Sequence, residues 1–123
     1  MKDIMDLNVY TESLEFSNTI WKLYKQFNHF DQRTLGIQLV RSADSISANI
    51  AERFGRFHYK ENIHFCYYAR GSVEETKDWL RKAFGRELLP KHLENKTFDE
   101  ITIISKKLNR YINSIKVRSN SKY

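Results

Sequence analysis

The chain has few of the residues that mark special architectures. Its 123 residues include one cysteine, Cys66, one proline, Pro90, and four glycines. A lone thiol excludes a disulfide framework and any site built from several thiolates. So little proline and glycine excludes collagen-like and linker-like chains. No apolar run approaches the ~18 residues of a membrane span. The opening Met1-Lys2-Asp3-Ile4-Met5-Asp6 carries acids early and has no apolar stretch, unlike a secretory leader. These absences predict a reduced, cytoplasmic, soluble protein with no membrane partner.

What is present supports a packed core. Hydrophobic residues make up 41% and aromatics 14%, too many for a disordered chain. The length predicts one domain over residues 1–123, with a polar tail from about 118 to 123. Lys and Arg number 21 against 15 Asp and Glu, a net charge of +6. A surplus of that size favours polyanion partners.

Helical periodicity organises the chain into four pieces. From about Asp3 to Phe30, Leu7, Tyr10, Leu14, Ser17, Trp21, Tyr24 and Phe27 recur at steps of three or four. Phe16, Ile20, Leu23 and Phe30 widen that face, as a helix with two neighbours requires. From about Asp31 to Gly55, Leu35, Leu39, Ala43, Ile46, Ile50 and Phe54 form one stripe, and Gly55 is placed as a C-cap. From about His58 to Phe84 two stripes run together. One holds Tyr59, Ile63, Cys66, Arg70, Val73, Lys77 and Leu80. The other holds Phe65, Ala69, Ser72, Thr76, Trp79 and Ala83, with Gly85 as the expected C-cap. Residues 86–96 read as a loop. Thr97-Phe98-Asp99-Glu100 has the capping-box pattern and opens the last helix through Ile101, Ile104, Leu108 and Ile115. With no alternating strand pattern and short connections, the expected fold is all-α, an antiparallel up-down four-helix bundle.

The charge is unevenly spread. Residues 1–30 carry −1, 31–57 carry +1, 58–86 carry +2 and 87–123 carry +4. The last segment holds Lys106, Lys107, Arg110, Lys116, Arg118 and Lys122; either a solvated helix face or a polyanion contact fits it. Arg41, Arg53, Arg56, Lys60 and Arg70 gather around the junction of the second and third helices, and arginine forks suit phosphate. Arg70 lies on an otherwise apolar stripe. Buried there, it needs Glu52 or Glu74 as a partner, unless it is kept for a ligand.

Catalytic chemistry finds no footing. The four histidines include no i, i+4 helical pair, and His64 and Cys66 point to different faces. Cys66 sits in the aromatic run Phe65-Cys66-Tyr67-Tyr68 and fits a small core residue. The serines lack a local base, and Gly55 and Gly85 are isolated. The expectation is a non-enzyme with no cofactor and no metal.

Two stretches carry a resemblance. One is Leu35-Gly36-Ile37-Gln38-Leu39-Val40-Arg41-Ser42-Ala43-Asp44-Ser45-Ile46-Ser47-Ala48-Asn49-Ile50-Ala51-Glu52-Arg53-Phe54-Gly55-Arg56. The other is Phe65-Cys66-Tyr67-Tyr68-Ala69-Arg70-Gly71-Ser72-Val73-Glu74-Glu75. The chain resembles, over nearly its whole length, the four-helix-bundle proteins encoded in intervening sequences of bacterial large-subunit ribosomal RNA genes, often labelled S23 ribosomal proteins. The accessory variability protein of diversity-generating retroelements uses the same fold. The resemblance implies a ring-like homopentamer and, through the retroelement relatives, binding to reverse transcriptase and to nucleic acid by a basic surface. The family pattern falls on Arg41, Ser45, Ile46, Asn49, Ile50, Ala51, Glu52, Gly55, Arg56, Phe65, Ala69, Arg70, Gly71, Ser72 and Glu75. This chain departs from it at Arg53, where the family has glycine, and at Asn28-His29-Phe30-Asp31, where the family has a proline before the second helix.

Two functions follow. The first is an oligomeric accessory protein that binds nucleic acid, RNA in preference, through Arg53, Arg56, Lys60, Lys106, Lys107 and Arg110. The second is a protein–protein scaffold without direct nucleic-acid binding. In both, Arg41, Asn49, Glu52, Arg70, Ser72 and Glu75 are expected to form a subunit interface or a buried ion network. Asn49 would hydrogen-bond across that interface, and close contact would offset the weak helix propensity of Gly71-Ser72.

Overall fold

The computed structural model describes residues 3–56 and 62–121. Four long helices form the expected up-down bundle: α1 (Asn8–Lys25), α2 (Ile37–Gly55), α3 (Ile63–Gly85) and α4 (Glu94–Ser121). No strand occurs among the described residues. The α2–α3 pair packs most extensively, α1–α2 next, and α1–α4 least.

One hydrophobic cluster draws on all four helices. In α2 the expected stripe is the core seam: Leu35, Leu39, Ala43, Ile46 and Ile50 are buried, and Phe54 is partly so. In α1 and just past it the seam is Val9, Ser13, Phe16, Ile20, Leu23 and Phe27; it follows the stripe expected to widen the face, while Trp21 and Phe30 are exposed. Buried Ser13 is tolerated because its hydroxyl donates to the Val9 carbonyl, 2.6 Å away. In α3 the seam is Asn62, Cys66, Ala69, Val73, Thr76, Leu80 and Ala83, which draws from both expected stripes and leaves Arg70 outside.

Helix boundaries also differ from the sequence reading. The second helical piece starts at Asn28, whose side-chain oxygen accepts from the Asp31 amide at 2.8 Å. A turn at His29–Asp31 leads into a π-helical stretch, Gln32–Gly36, and on into α2. Gly36 is needed there. A Cβ on it would sit 2.9 Å from the Asp31 carbonyl oxygen and 3.0 Å from ring carbons of Phe27 and Tyr24. The expected glycine caps are not used, since no glycine adopts a positive φ among the described residues. α3 instead closes through Glu87 at φ 61°, with the Glu87 amide on the Phe84 carbonyl and the Leu88 amide on the Ala83 carbonyl. That is a Schellman closure with a non-glycine residue in the left-handed position. The expected capping box at Thr97 is likewise absent. Pro90 starts a 3-10 turn at Lys91–Leu93, and α4 begins at Glu94. Thr97 is buried and donates to the Leu93 carbonyl at 2.7 Å. α4 continues through the expected tail to Ser121.

Candidate nucleic-acid interface at one end of the bundle

Antiparallel packing brings the end of α2, the start of α3 and the end of α4 together, and cations collect there around aromatic rings. The Arg56 guanidinium lies 5.2 Å from the Phe65 ring centre. Arg70 lies 5.0 Å and the Lys116 ammonium 5.6 Å from the Tyr67 ring centre. Such contacts hold a cation in place without neutralising it. Arg56 also pairs with Glu52 at 3.1 Å, but both side chains are more than half exposed, so water screens that pair.

Arg53 behaves differently from its neighbours. It is half-buried, and its Nε has neither solvent nor a hydrogen-bond partner. Its charge is felt by two groups of the core. Burial pushes the Cys66 thiol up to about 11, and Arg53 partly opposes that rise. Burial also raises Tyr111, against the pull of Arg53 and Arg118. Its Nε is thus enclosed at the end of the bundle, although the residue as a whole is only half-buried. Asn62, at the start of α3, is also buried, and its side-chain nitrogen has no partner. The sequence reading assigned no role to Asn62, because a single asparagine at a helix start carries no hydropathy signal.

The other basic residues separate. Lys106 and Arg110 are exposed on the outer side of α4. Lys107 turns to α1 and pairs with Glu12 at 2.7 Å, so its charge is matched. Lys60 lies outside the described residues.

The expected ion network is not formed within the protomer. Arg70 is exposed on Tyr67, Glu52 pairs with Arg56, and Glu74 pairs with Lys77 at 3.4 Å. The reason is the α3 register, which puts Ala69 on the seam and Arg70 outside it. Arg41 is exposed. The Glu75 carboxylate accepts from the Trp79 indole at 3.2 Å. Asn49 bonds within its own helix, donating to the Ser45 carbonyl at 2.8 Å and the Ser45 hydroxyl at 3.0 Å. Ser72 does reach across, since its hydroxyl meets that of Ser45 at 3.0 Å. Gly71 makes no close approach inside the chain, and a Cβ there would meet open space.

The opposite flank has a different character. A cleft of about 270 Å³ between α1 and α4 is lined by Glu12, Glu15 and Glu100 above Phe16, Ile103 and Ile104. One Glu12 carboxylate oxygen is buried there without a partner. Acids so placed repel a nucleic-acid backbone. Among the described residues, no group of three or more His, Cys, Asp and Glu could hold a metal ion, and no helix is long and apolar enough to cross a membrane.

Residues 5–110 match the family described as 23S rRNA-intervening sequence protein. The chain belongs to this family. The crystal structure of a protein with unknown function from the S23 ribosomal protein family of Bacteroides thetaiotaomicron is similar to it. Sequence identity is 29% and the TM-score 0.78, over 85% of this chain and 95% of that one. No curated protein matches the sequence. The intervening-sequence family thus agrees with the resemblance carried by the α2 and α3 motifs and with the bundle fold.

Proposed function

We propose that this chain is a non-enzymatic, oligomeric accessory protein that binds RNA through the basic end of its bundle. The observation that carries the reading is the convergence of Arg56, Arg70 and Lys116 on the rings of Phe65 and Tyr67. Cations held over half-buried rings keep their charge turned to solvent, where the phosphates of a flexible single strand can meet it. The ribosomal RNA association in the family's name favours RNA over DNA. Assembly is supported by the open space at Gly71 beside Tyr68, which is 58% exposed. In a homopentamer, the charge of +6 per chain becomes about +30 per particle, and electrostatic steering rises with it. A reverse transcriptase is a further partner the resemblance suggests.

Gel-shift titration of a single-stranded oligoribonucleotide at two salt concentrations tests the reading. Binding that weakens steeply with salt supports it, and no binding at low salt rejects it. Light scattering at micromolar protein tests assembly separately, and a monomer rejects the pentamer. The α1–α4 cleft favours a second reading, a scaffold that grips a basic partner protein through Glu12, Glu15 and Glu100. A partner that co-purifies after RNase treatment, from a chain that binds no RNA, would support that one.

A further inference from the structure

α1 and α4 pack least extensively of the neighbouring helices and leave a cleft of about 270 Å³ between them. Its floor is apolar. Phe16 and Ile104 are each 2% exposed, and Ile103 lines the same cleft with 49% of its surface in solvent. A lone exposed isoleucine is ordinary on a protein surface. This one carries the apolar floor of a concave site outwards to solvent.

Three carboxylates share the lining. Lys107 holds one oxygen of Glu12 at 2.7 Å, and the other oxygen is buried without a partner. Glu15 is exposed and Glu100 half-buried, and neither forms an ion pair among the described residues. Three acids against Lys107 leave a local charge of −2, on a chain whose net charge is +6.

The apolar floor narrows what can occupy the cleft. A small hydrated cation gains nothing from Phe16, Ile103 and Ile104. A lysine or arginine side chain lays its methylene stem on such a floor and keeps its charged head at a carboxylate. From Glu12 to Thr19, both in the lining, α1 rises about 10 Å, so the cleft takes side chains from about two turns of another helix. The charge match is local. The surplus of the whole chain repels a basic peptide, so attraction to one has to come from this flank.

We propose that the α1–α4 cleft docks a basic amphipathic helix of a partner protein. An apolar side chain of that helix packs on Ile103, and lysines or arginines one turn away meet Glu15 and Glu100. Glu12, already held by Lys107, adds its unpartnered oxygen to the field. This is recognition of a helix in a groove. It rests on the scaffold reading and sharpens it by naming the element that is gripped. It uses none of Arg56, Arg70 and Lys116.

Fluorescence anisotropy with two labelled helical peptides of equal charge tests the proposal on the full chain after nuclease treatment. One peptide is built from leucine and lysine, and the other has glutamine in place of leucine. The leucine peptide binds one per chain and about tenfold more tightly than the glutamine peptide. Ile103→Ser removes that preference. Glu15→Gln combined with Glu100→Gln weakens both peptides by about tenfold. None of the three side chains belongs to the core cluster, so the variants keep the Tm of the parent. Equal affinity for the two peptides, lost in the Glu15 and Glu100 variant, overturns the docked helix and leaves the acidic scaffold surface standing. Binding that no variant alters overturns both, because the basic partner then sits elsewhere. Binding of neither peptide overturns the proposal, and the scaffold reading falls with it only if no protein co-purifies. A particle that shrinks in light scattering when Glu15 and Glu100 are changed shows that a second copy of the chain fills the cleft, which also overturns the proposal.

Discussion

The Ser45 hydroxyl of α2 meets the Ser72 hydroxyl of α3 at 3.0 Å, at the closest-packed pair of helices in the bundle. One turn along α2, the Ser42 and Thr76 hydroxyls meet at 2.9 Å, and Thr76 is fully buried. Small hydroxyl residues let the backbones approach, and three of the four hydroxyls have a carbonyl of their own helix as a second partner: Leu39 for Ser42, Tyr68 for Ser72, and Ser72 for Thr76; the Ser45 hydroxyl accepts from the Asn49 side-chain amide. Thr76→Val keeps the shape and removes the bond, so it should cost about 1 kcal/mol. Ser42→Leu adds bulk where none fits and should cost about 1–3 kcal/mol. Urea unfolding measures both, and the reverse order would contradict the close-packing argument.

Glycines 36 and 71 should respond to alanine with opposite signs. At Gly36 the added carbon meets a carbonyl oxygen at 2.9 Å, and backbone cannot move aside cheaply. Gly36→Ala should destabilise by about 1–3 kcal/mol. At Gly71 there is open space in mid-helix, so Gly71→Ala should stabilise the isolated protomer by up to about 1 kcal/mol. If Gly71 lies in a subunit contact, the same change weakens assembly. Light scattering alongside thermal melts then shows a more stable protomer and a smaller particle.

How much of this was legible depended on where hydropathy and burial coincide. α2 was readable because Leu39, Ala43, Ile46 and Ile50 are apolar and all fully buried. α1 was half readable: Phe16, Ile20 and Leu23 were on the expected stripe, but aromatics occur on every side, and Ser13 holds a buried position by bonding to its own backbone. α3 misled for a related reason. Asn62 and Thr76 hold seam positions with polar side chains, so the apolar pattern drifted onto Arg70. The basic end was half legible. The arginine cluster stood out in the sequence, but only the packing of the helices encloses Arg53 Nε and brings Lys107 to Glu12.

Glu87 holds φ 61° to close α3, a conformation that strains any side chain with a Cβ. Glu87→Gly should therefore stabilise the protein by about 1 kcal/mol, although glycine normally loosens a chain. Gly85→Ala should do the same by helix propensity, since Gly85 is a helical residue with open space around it. A loss of stability at either position would mean that the end of α3 closes differently.

Cys66 should be inert at neutral pH. It is fully buried, and its thiol is held near 11 against an ordinary value of 9.0. Thiolate is the reactive form, so labelling by an aromatic disulfide reagent should require unfolding. The sign of the pH effect follows. At pH 10 the native thiol keeps a proton that the unfolded chain has released, so stability falls as pH rises from about 9 to about 11. Cys66→Ala should lose that alkaline sensitivity while starting from a less stable protein. Chemical denaturation at pH 8 and pH 10.5 measures the difference.

The cations should rank by how far each is already neutralised. Lys107 is matched by Glu12 at 2.7 Å beside an acidic cleft, so Lys107→Gln should leave RNA affinity nearly unchanged. Arg56 is exposed, braced by Phe65 and only loosely held by Glu52. Arg56→Gln should weaken binding and lower the slope of log affinity against log salt by about 1, the signature of one lost phosphate contact. Glu52→Gln frees the same guanidinium and should strengthen binding, because a screened surface pair holds little energy to lose. Filter binding at several salt concentrations gives all three slopes. Equal losses for Lys107→Gln and Arg56→Gln would mean that RNA, if bound, follows α4 and not the end of the bundle.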